Sequence, residues 1–303
     1  MLLQLVPRAV SIQPPPDRRV LRTFAALGLF WSALWLISVV GLWSAQSLLV
    51  FRAPASRSFT GPFDAGVFVE HSFTNADGLT LDSVLLAHDP PDDRYWILFC
   101  PPAGASIRVL RFQGQLRDLW SLGYNVMAFD YRGFGRSSGT PSERGLYADA
   151  AAAYGFLLQE KTVNASRVIL AGRSLGASIA LELATRVHSA GVLLFSPIDS
   201  VPAVATRLFP WVPVRLLTRY QFDNTSKART IHQAVTLVYS APDEFMPLFR
   251  ARALFDEFRG PKQMLETSGA HLDSGFTNLG ELRRTLVAFW PPDIDREPRR
   301  GGW

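Results

Sequence analysis

Apolar positions follow two different patterns along this chain. Residues 24–51 form a run of 28 without a single charge, bracketed by Arg22 and Arg52 and carrying Trp31, Trp35 and Trp43. As a helix rising 1.5 Å per residue it would be about 40 Å long, enough to cross a hydrocarbon core of about 30 Å with some tilt. Buried helices of soluble domains rarely run so far without a polar break, so the pattern predicts a transmembrane segment. From about residue 66 the pattern changes to short β-rich runs alternating with helical ones.

The first two of these runs, 67–73 and 79–87, are strand-like and are joined by Asn75-Ala76-Asp77-Gly78, a hairpin turn sequence. Solid apolar runs follow at 95–100, 125–129, 168–171, 191–195 and 235–239, with a later one at 263–267. Continuous apolarity, without alternation, marks strands buried on both faces, as in a parallel sheet. Helical candidates lie between them at 108–122, 143–160 and 175–187. Thr140 is placed to cap the second of these, with Pro141 at the first helical position and Glu143 completing a capping box. The order predicts a doubly wound α/β domain with an antiparallel edge, whose ligands sit beyond the C-terminal ends of the strands.

Charge sharpens the membrane reading. The formal net charge is +5, which alone would invite nucleic acid. Yet Arg8, Arg18, Arg19 and Arg22 against Asp17 put a surplus of three in the basic tail 1–23, with no interleaved aromatics to stack bases. Nucleic-acid binding is therefore not expected. Ala53-Pro54-Ala55 resembles a signal-peptidase site, but the apolar run is about twice a signal-peptide core. An uncleaved signal-anchor over 24–51 is expected. Four arginines precede it and two, Arg52 and Arg57, follow closely, so the positive-inside rule puts the main domain on the extracytoplasmic side. Residues 291–303 read as a polar C-terminal tail. One cysteine, Cys100, excludes an internal disulfide and a cysteine metal cluster; no cofactor is expected.

The chemistry concentrates at Gly172-Arg173-Ser174-Leu175-Gly176, a G-x-S-x-G between a predicted strand and a predicted helix. A serine on so sharp a turn has backbone crowded on both sides, and the flanking glycines relieve the clash. Ala177 and Ala180 permit close helix packing. The Leu175 N–H, at a helix N-terminus, can donate to a developing oxyanion. On such a turn the acid and the base follow the serine in that order. Of five histidines, His71 and His88 precede it, His188 ends the next helix, and His232 lies on the wrong edge of its strand. His271, in a small-residue loop after the run at 263–267, is the expected base. Asp243, just after the run at 235–239, is the expected acid. Asp199, also after a strand, is its rival; Glu244 and Asp273 are placed less well. Gly133-Phe134-Gly135-Arg136-Ser137-Ser138-Gly139 has one residue too many for a dinucleotide loop and reads as structural.

Together these segments resemble the α/β-hydrolase-domain family, in the branch with one N-terminal membrane anchor that includes monoacylglycerol and lysophospholipid lipases and protein depalmitoylases. The resemblance rests on Asp130-Tyr131-Arg132-Gly133-Phe134-Gly135, Pro141-Ser142-Glu143, Gly145-Leu146-Tyr147-Ala148-Asp149, the 172–176 elbow, Phe222-Asp223-Asn224, the Asp243 segment and Gly269-Ala270-His271. It covers roughly 66–290 and implies an α/β-hydrolase fold with Ser174 as nucleophile, Asp243 as acid and His271 as base. It also implies action on an ester or lipid substrate. One departure stands out. The loop that usually reads His-Gly-Asn and completes the oxyanion hole is here Cys100-Pro101-Pro102-Ala103-Gly104-Ala105. Proline has no N–H, so the second donor is expected from Ala103 or a neighbour. The apolar insert 200–222 suits an acyl pocket or membrane contact. A serine peptidase of the same fold, or a silent hydrolase-like scaffold, is the alternative.

Overall fold

The computed structural model describes residues 18–53, 67–89, 94–160, 162–243, 245–273 and 275–292. Most of the basic tail, the 54–55 and 57 positions, Glu244 and residues 293–303 of the C-terminal tail lie outside them. The chain divides into two compact units between Ala45 and Gln46. The first contains α1 (Arg18–Ser44), long and apolar enough by length and composition to cross a membrane. The charge-free run is thus not one helix. Its last residues form a separate short helix, α2 (Gln46–Phe51), which belongs to the second unit.

In the second unit the described residues build an eight-stranded sheet from β1 (Val69–Thr74), β2 (Thr80–Leu86), β3 (Trp96–Cys100), β4 (Asn125–Phe129), β5 (Val168–Arg173), β6 (Gly191–Phe195), β7 (Ala234–Ser240) and β8 (Lys262–Thr267). Their order is β1-β2-β4-β3-β5-β6-β7-β8. β1 and β2 pair antiparallel, as do β2 and β4, and every later pair is parallel. This is the α/β-hydrolase fold, mostly parallel with an antiparallel edge. Every residue of β3, β4, β5 and β6 is buried, as continuous apolarity requires when helices cover both faces. The hairpin forms at the expected turn: Asn75 Oδ1 accepts the N–H groups of Asp77 and Leu79, and Gly78 takes φ +75°.

The helices are α3 (Leu110–Ser121), α4 (Glu143–Glu160), α5 (Leu175–Ala184), α6 (Val201–Leu208), α7 (Val214–Leu217), α8 (Asn224–Ala228), α9 (Leu248–Glu257) and α10 (Leu279–Val287). The start of α4 differs from expectation. Ser142 Oγ, not Thr140, accepts a first-turn N–H, that of Gly145. The Glu143 carboxylate turns away from a capping box and accepts the N–H groups of Gln221 and Phe222, fastening the cap segment. α5 stops at Ala184, so His188 lies beyond the helix it was expected to end.

The loop 133–139 is structural. Ser137 Oγ donates to the Asp130 carbonyl, and the Asp82 N–H donates to Ser137 Oγ. A Cβ on Gly135 would sit 2.0 Å from Asp130 Oδ2. The Asp130 carboxylate accepts Ser106 O–H at 2.7 Å and Ile107 N–H at 2.9 Å, tying the end of β4 to the loop after β3. Burial pushes its pKa up to about 7, against the pull of these two donors. A folded-state value above the unfolded one means that the fold binds this proton more tightly. Stability from the group is then complete below about pH 4 and is lost as pH rises toward 7. Unfolding curves should therefore show the wild type losing stability relative to Asp130→Asn over that interval. Parallel pH profiles would show that Asp130 is ionised throughout.

Candidate active site

The turn from β5 into α5 is as tight as its sequence implies. A Cβ on Gly172 would lie 2.2 Å from the Gly176 carbonyl oxygen, and one on Gly176 would lie 2.0 Å from that of Cys100. No side chain fits between these backbones. Ser174 sits at the apex with φ +53° and ψ −116°, and its N–H donates to the Phe195 carbonyl at 2.9 Å. Its side chain lines a cavity of about 230 Å³ together with His271, Leu175 and Ala103.

Asp243 follows β7 and His271 follows β8, and the structure brings them together. His271 Nδ1 lies 2.7 Å from Asp243 Oδ2, with both side chains almost wholly buried. The other carboxylate oxygen accepts the N–H groups of Phe245 and Met246 at 2.8 Å each. Burial alone would raise the Asp243 pKa. The His271 hydrogen bond and charge, with the two backbone donors, outweigh it and hold the carboxyl below its ordinary range. Asp243 is therefore an ionised acceptor that fixes the ring through Nδ1, and His271 lines the cavity. The rival Asp199 is occupied elsewhere, accepting the Ser200 N–H and pairing with Arg250. His88 stacks on Trp120, and His71 lies in β1.

The loop after β3 leaves one backbone donor toward the cavity. Pro101 and Pro102 have none, the Gly104 N–H is taken by the Phe51 carbonyl at 3.0 Å, and the Ala105 N–H by that of Pro102 at 3.3 Å. Ala103 and Leu175, whose N–H groups take no part in these bonds, both line the cavity. Tyr131 O–H donates to the Pro101 carbonyl at 3.0 Å from below. Cys100 is buried beside it, its thiol pushed up to about 12 by burial.

Two parts of this arrangement were not anticipated. Arg173, the variable residue before the serine, is fully buried. Its guanidinium donates to the His271 carbonyl at 3.0 Å and lies 5.1 Å from each of the Phe195 and Phe276 ring centres. A charged residue inside an elbow motif was the available signal. The second is α2, which supplies Leu49 and Val50 to the cavity wall, with Arg52 just after it, alongside Val201, Val204, Ala205 and Leu208 of α6. A mostly apolar cavity, an imidazole held by a carboxylate, a serine on the cavity wall and backbone N–H groups beside it are the parts that acyl transfer needs.

A family model described as serine aminopeptidase, S33, matches residues 102–260. An uncharacterized protein of Mycobacterium tuberculosis is 30% identical over 258 residues, covering 82% of this chain and 90% of that protein. The human alpha/beta hydrolase domain-containing protein 17B is 35% identical over 149 residues, 48% of this chain and 49% of its own length. Among solved structures, the Pyrococcus furiosus esterase Pf2001 aligns with a TM-score of 0.64 at 17% identity, covering 78% of this chain and 95% of that chain. At that identity the likeness is one of fold.

The elbow backbone carries a measurable strain. A residue with a Cβ at φ +53° is held at a cost of about 1–3 kcal/mol. Ser174→Gly should therefore be more stable to urea than Ser174→Ala by about 1–2 kcal/mol. Equal stabilities would show that the turn is relaxed.

Proposed function

We propose, on the premise that this chain belongs to the α/β-hydrolase family of the serine aminopeptidase S33 type, that it is a membrane-anchored serine hydrolase of lipid or acyl esters. The observation that carries the reading is the Asp243–His271 pair at 2.7 Å opening on the same apolar cavity as Ser174. His271, oriented by ionised Asp243, takes the Ser174 proton as the hydroxyl oxygen attacks the ester carbonyl. The Leu175 and Ala103 N–H groups hold the oxyanion. The alcohol leaves with the proton from His271, and a water deprotonated by His271 then releases the acid from the acyl-enzyme. Arg173 keeps the His271 backbone in place beneath this exchange.

The substrate class follows from the lining. Apart from Arg52, the described wall carries no Lys, Arg, Asp or Glu and is mostly aliphatic, suited to an acyl chain. Its size, about 230 Å³, lies below the ~300–1,000 Å³ of typical drug-sized sites and favours one chain over two. The peptidase reading suggested by the family description would need a carboxylate to meet a peptide's N-terminal ammonium. Among the described residues, no Asp or Glu lines the cavity. The anchor is assigned to α1, with the catalytic domain on the extracytoplasmic side.

A fluorophosphonate probe and a p-nitrophenyl ester series of increasing chain length test the reading on the detergent-solubilised full chain. Labelling should require Ser174, and kcat/KM should rise from acetate to medium-chain esters. Equal labelling of Ser174→Ala, or no turnover of any ester, would sink it. Arg173→Met should lower kcat by about 10²-fold with little change in KM, since a misplacement of about 1 Å costs that much. An unchanged kcat would leave Arg173 a packing residue.

A further inference from the structure

We propose that the rim of the catalytic cavity is a docking surface for an anionic lipid bilayer, an inference that rests on the membrane-anchored reading above. The rim is one continuous piece of surface. Gln46 Nε2 donates to the Leu217 carbonyl at 2.9 Å, the Arg219 N–H donates to Gln46 Oε1 at 2.8 Å, and Ser47 Oγ lies 2.6 Å from the Tyr220 hydroxyl. These bonds join α2 to the segment after α7. On the other side α2 meets α6 across the cavity, where Leu49 and Leu208 both line the wall.

The rim carries large apolar side chains in water. Leu216 is 86% exposed, Leu48 72%, Leu208 50% and Trp211 49%. Isolated exposed leucines need no explanation, but four large exposed apolar side chains on segments joined to one another beside the cavity do. Its charge is of one sign. There is no Asp or Glu from Gln46 to Arg52 or from Ser200 to Phe222, whereas Arg52, Arg207, Arg215 and Arg219 fall in those segments. Short helices with exposed leucine and tryptophan interspersed with arginine have the composition of an interfacial element. Basic residues near a leaflet are drawn to anionic headgroups. A second copy of this chain fits less well, because a two-fold contact would set these arginine-bearing segments, which contain no Asp or Glu, against themselves. In the chain, Ala45 alone separates α1 from α2. Docked this way, an acyl chain would pass from lipid into the wall of Val201, Val204 and Leu208 without crossing water.

The test uses the full chain in phosphatidylcholine–phosphatidylglycerol vesicles, with Leu216→Cys carrying an environment-sensitive maleimide dye. Cys100 is buried with its thiol pushed up to about 12, so the dye goes to the introduced thiol. Val69→Cys, on the edge strand β1, is the reference. The dye at 216 should shift to the blue, lose most of its intensity to nitroxide-bearing lipid and resist aqueous iodide. The dye at 69 should do the reverse, and omitting phosphatidylglycerol should weaken the lipid quenching at 216. Equal iodide quenching at both sites overturns the proposal. So does a blue shift at 216 that lipid quenchers do not reach and that grows with protein density, which would mark contact between copies. So does lipid quenching indifferent to phosphatidylglycerol. The readout needs no turnover: ester hydrolysis with residue 216 in water refutes only this surface, and loss of hydrolysis with 216 in lipid refutes only the catalytic reading.

Discussion

Gly176 lies so close to the Cys100 carbonyl that a Cβ would stand 2.0 Å from its oxygen, and much of the site follows from that approach. The contact presses the first turn of α5 against the end of β3, which fixes where the loop 101–105 begins. That loop is held from two further directions, by Tyr131 at the Pro101 carbonyl and by the Phe51 carbonyl at the Gly104 N–H. Ala103 lines the same cavity as Leu175, and the loop's other donors are absent or engaged. The two prolines thus do not abolish a second donor. They remove competitors and stiffen its approach.

The charges around this elbow are arranged so that each has a defined partner. Asp243 is ionised because three donors face it, although burial opposes that state. Arg173 is the harder case, a guanidinium with no exposure. Removing such a group from water costs several kcal/mol unless polar contacts and aromatic faces replace the lost hydration. Phe195, Phe276 and the His271 carbonyl supply part of that replacement. A planar guanidinium can stack between two rings and still donate in its own plane, which an ammonium cannot. The residue beside the nucleophile therefore reaches beneath the sheet edge to the loop that carries the histidine.

The parallel sheet was legible because its strands are buried on both faces, so their sequences are unbroken apolar runs. The pairing of Asp243 with His271 at the cavity that Ser174 lines was legible because chain order and strand ends restrict which Asp and His can lie near an elbow. What stayed hidden depends on contacts between distant segments. Nothing in the composition of 24–51 marks the break at Ala45, since Ala, Gln and Ser are all compatible with a continuing helix. Gln46 acquires its meaning only from Leu217 and Arg219, more than 170 residues on. Glu143 reads locally as a capping residue, yet the backbone of Gln221 and Phe222 competes for it and wins. Local signals lose where a distant segment offers two donors to one carboxylate.

That hidden helix bears on whether the chain is cleaved after its apolar run. The small residues at 53–55 resemble a processing site, but cutting there would remove α2. With it would go the buried Phe51 ring, packed 4.9 Å from Tyr220 and 6.3 Å from Phe222, worth about 1.5–3 kcal/mol of apolar burial. The bond from its carbonyl to the Gly104 N–H would also go, freeing the loop that presents Ala103. Leu49 and Val50 would leave the cavity wall, opening the cavity to water beside Ser174. A signal peptide is discarded because the mature fold has no use for it; here the last turn of the apolar run is part of the pocket. The same covalent continuity that retains the wall retains α1, so the cavity, as much as the length of the apolar run, argues against cleavage at 53–55.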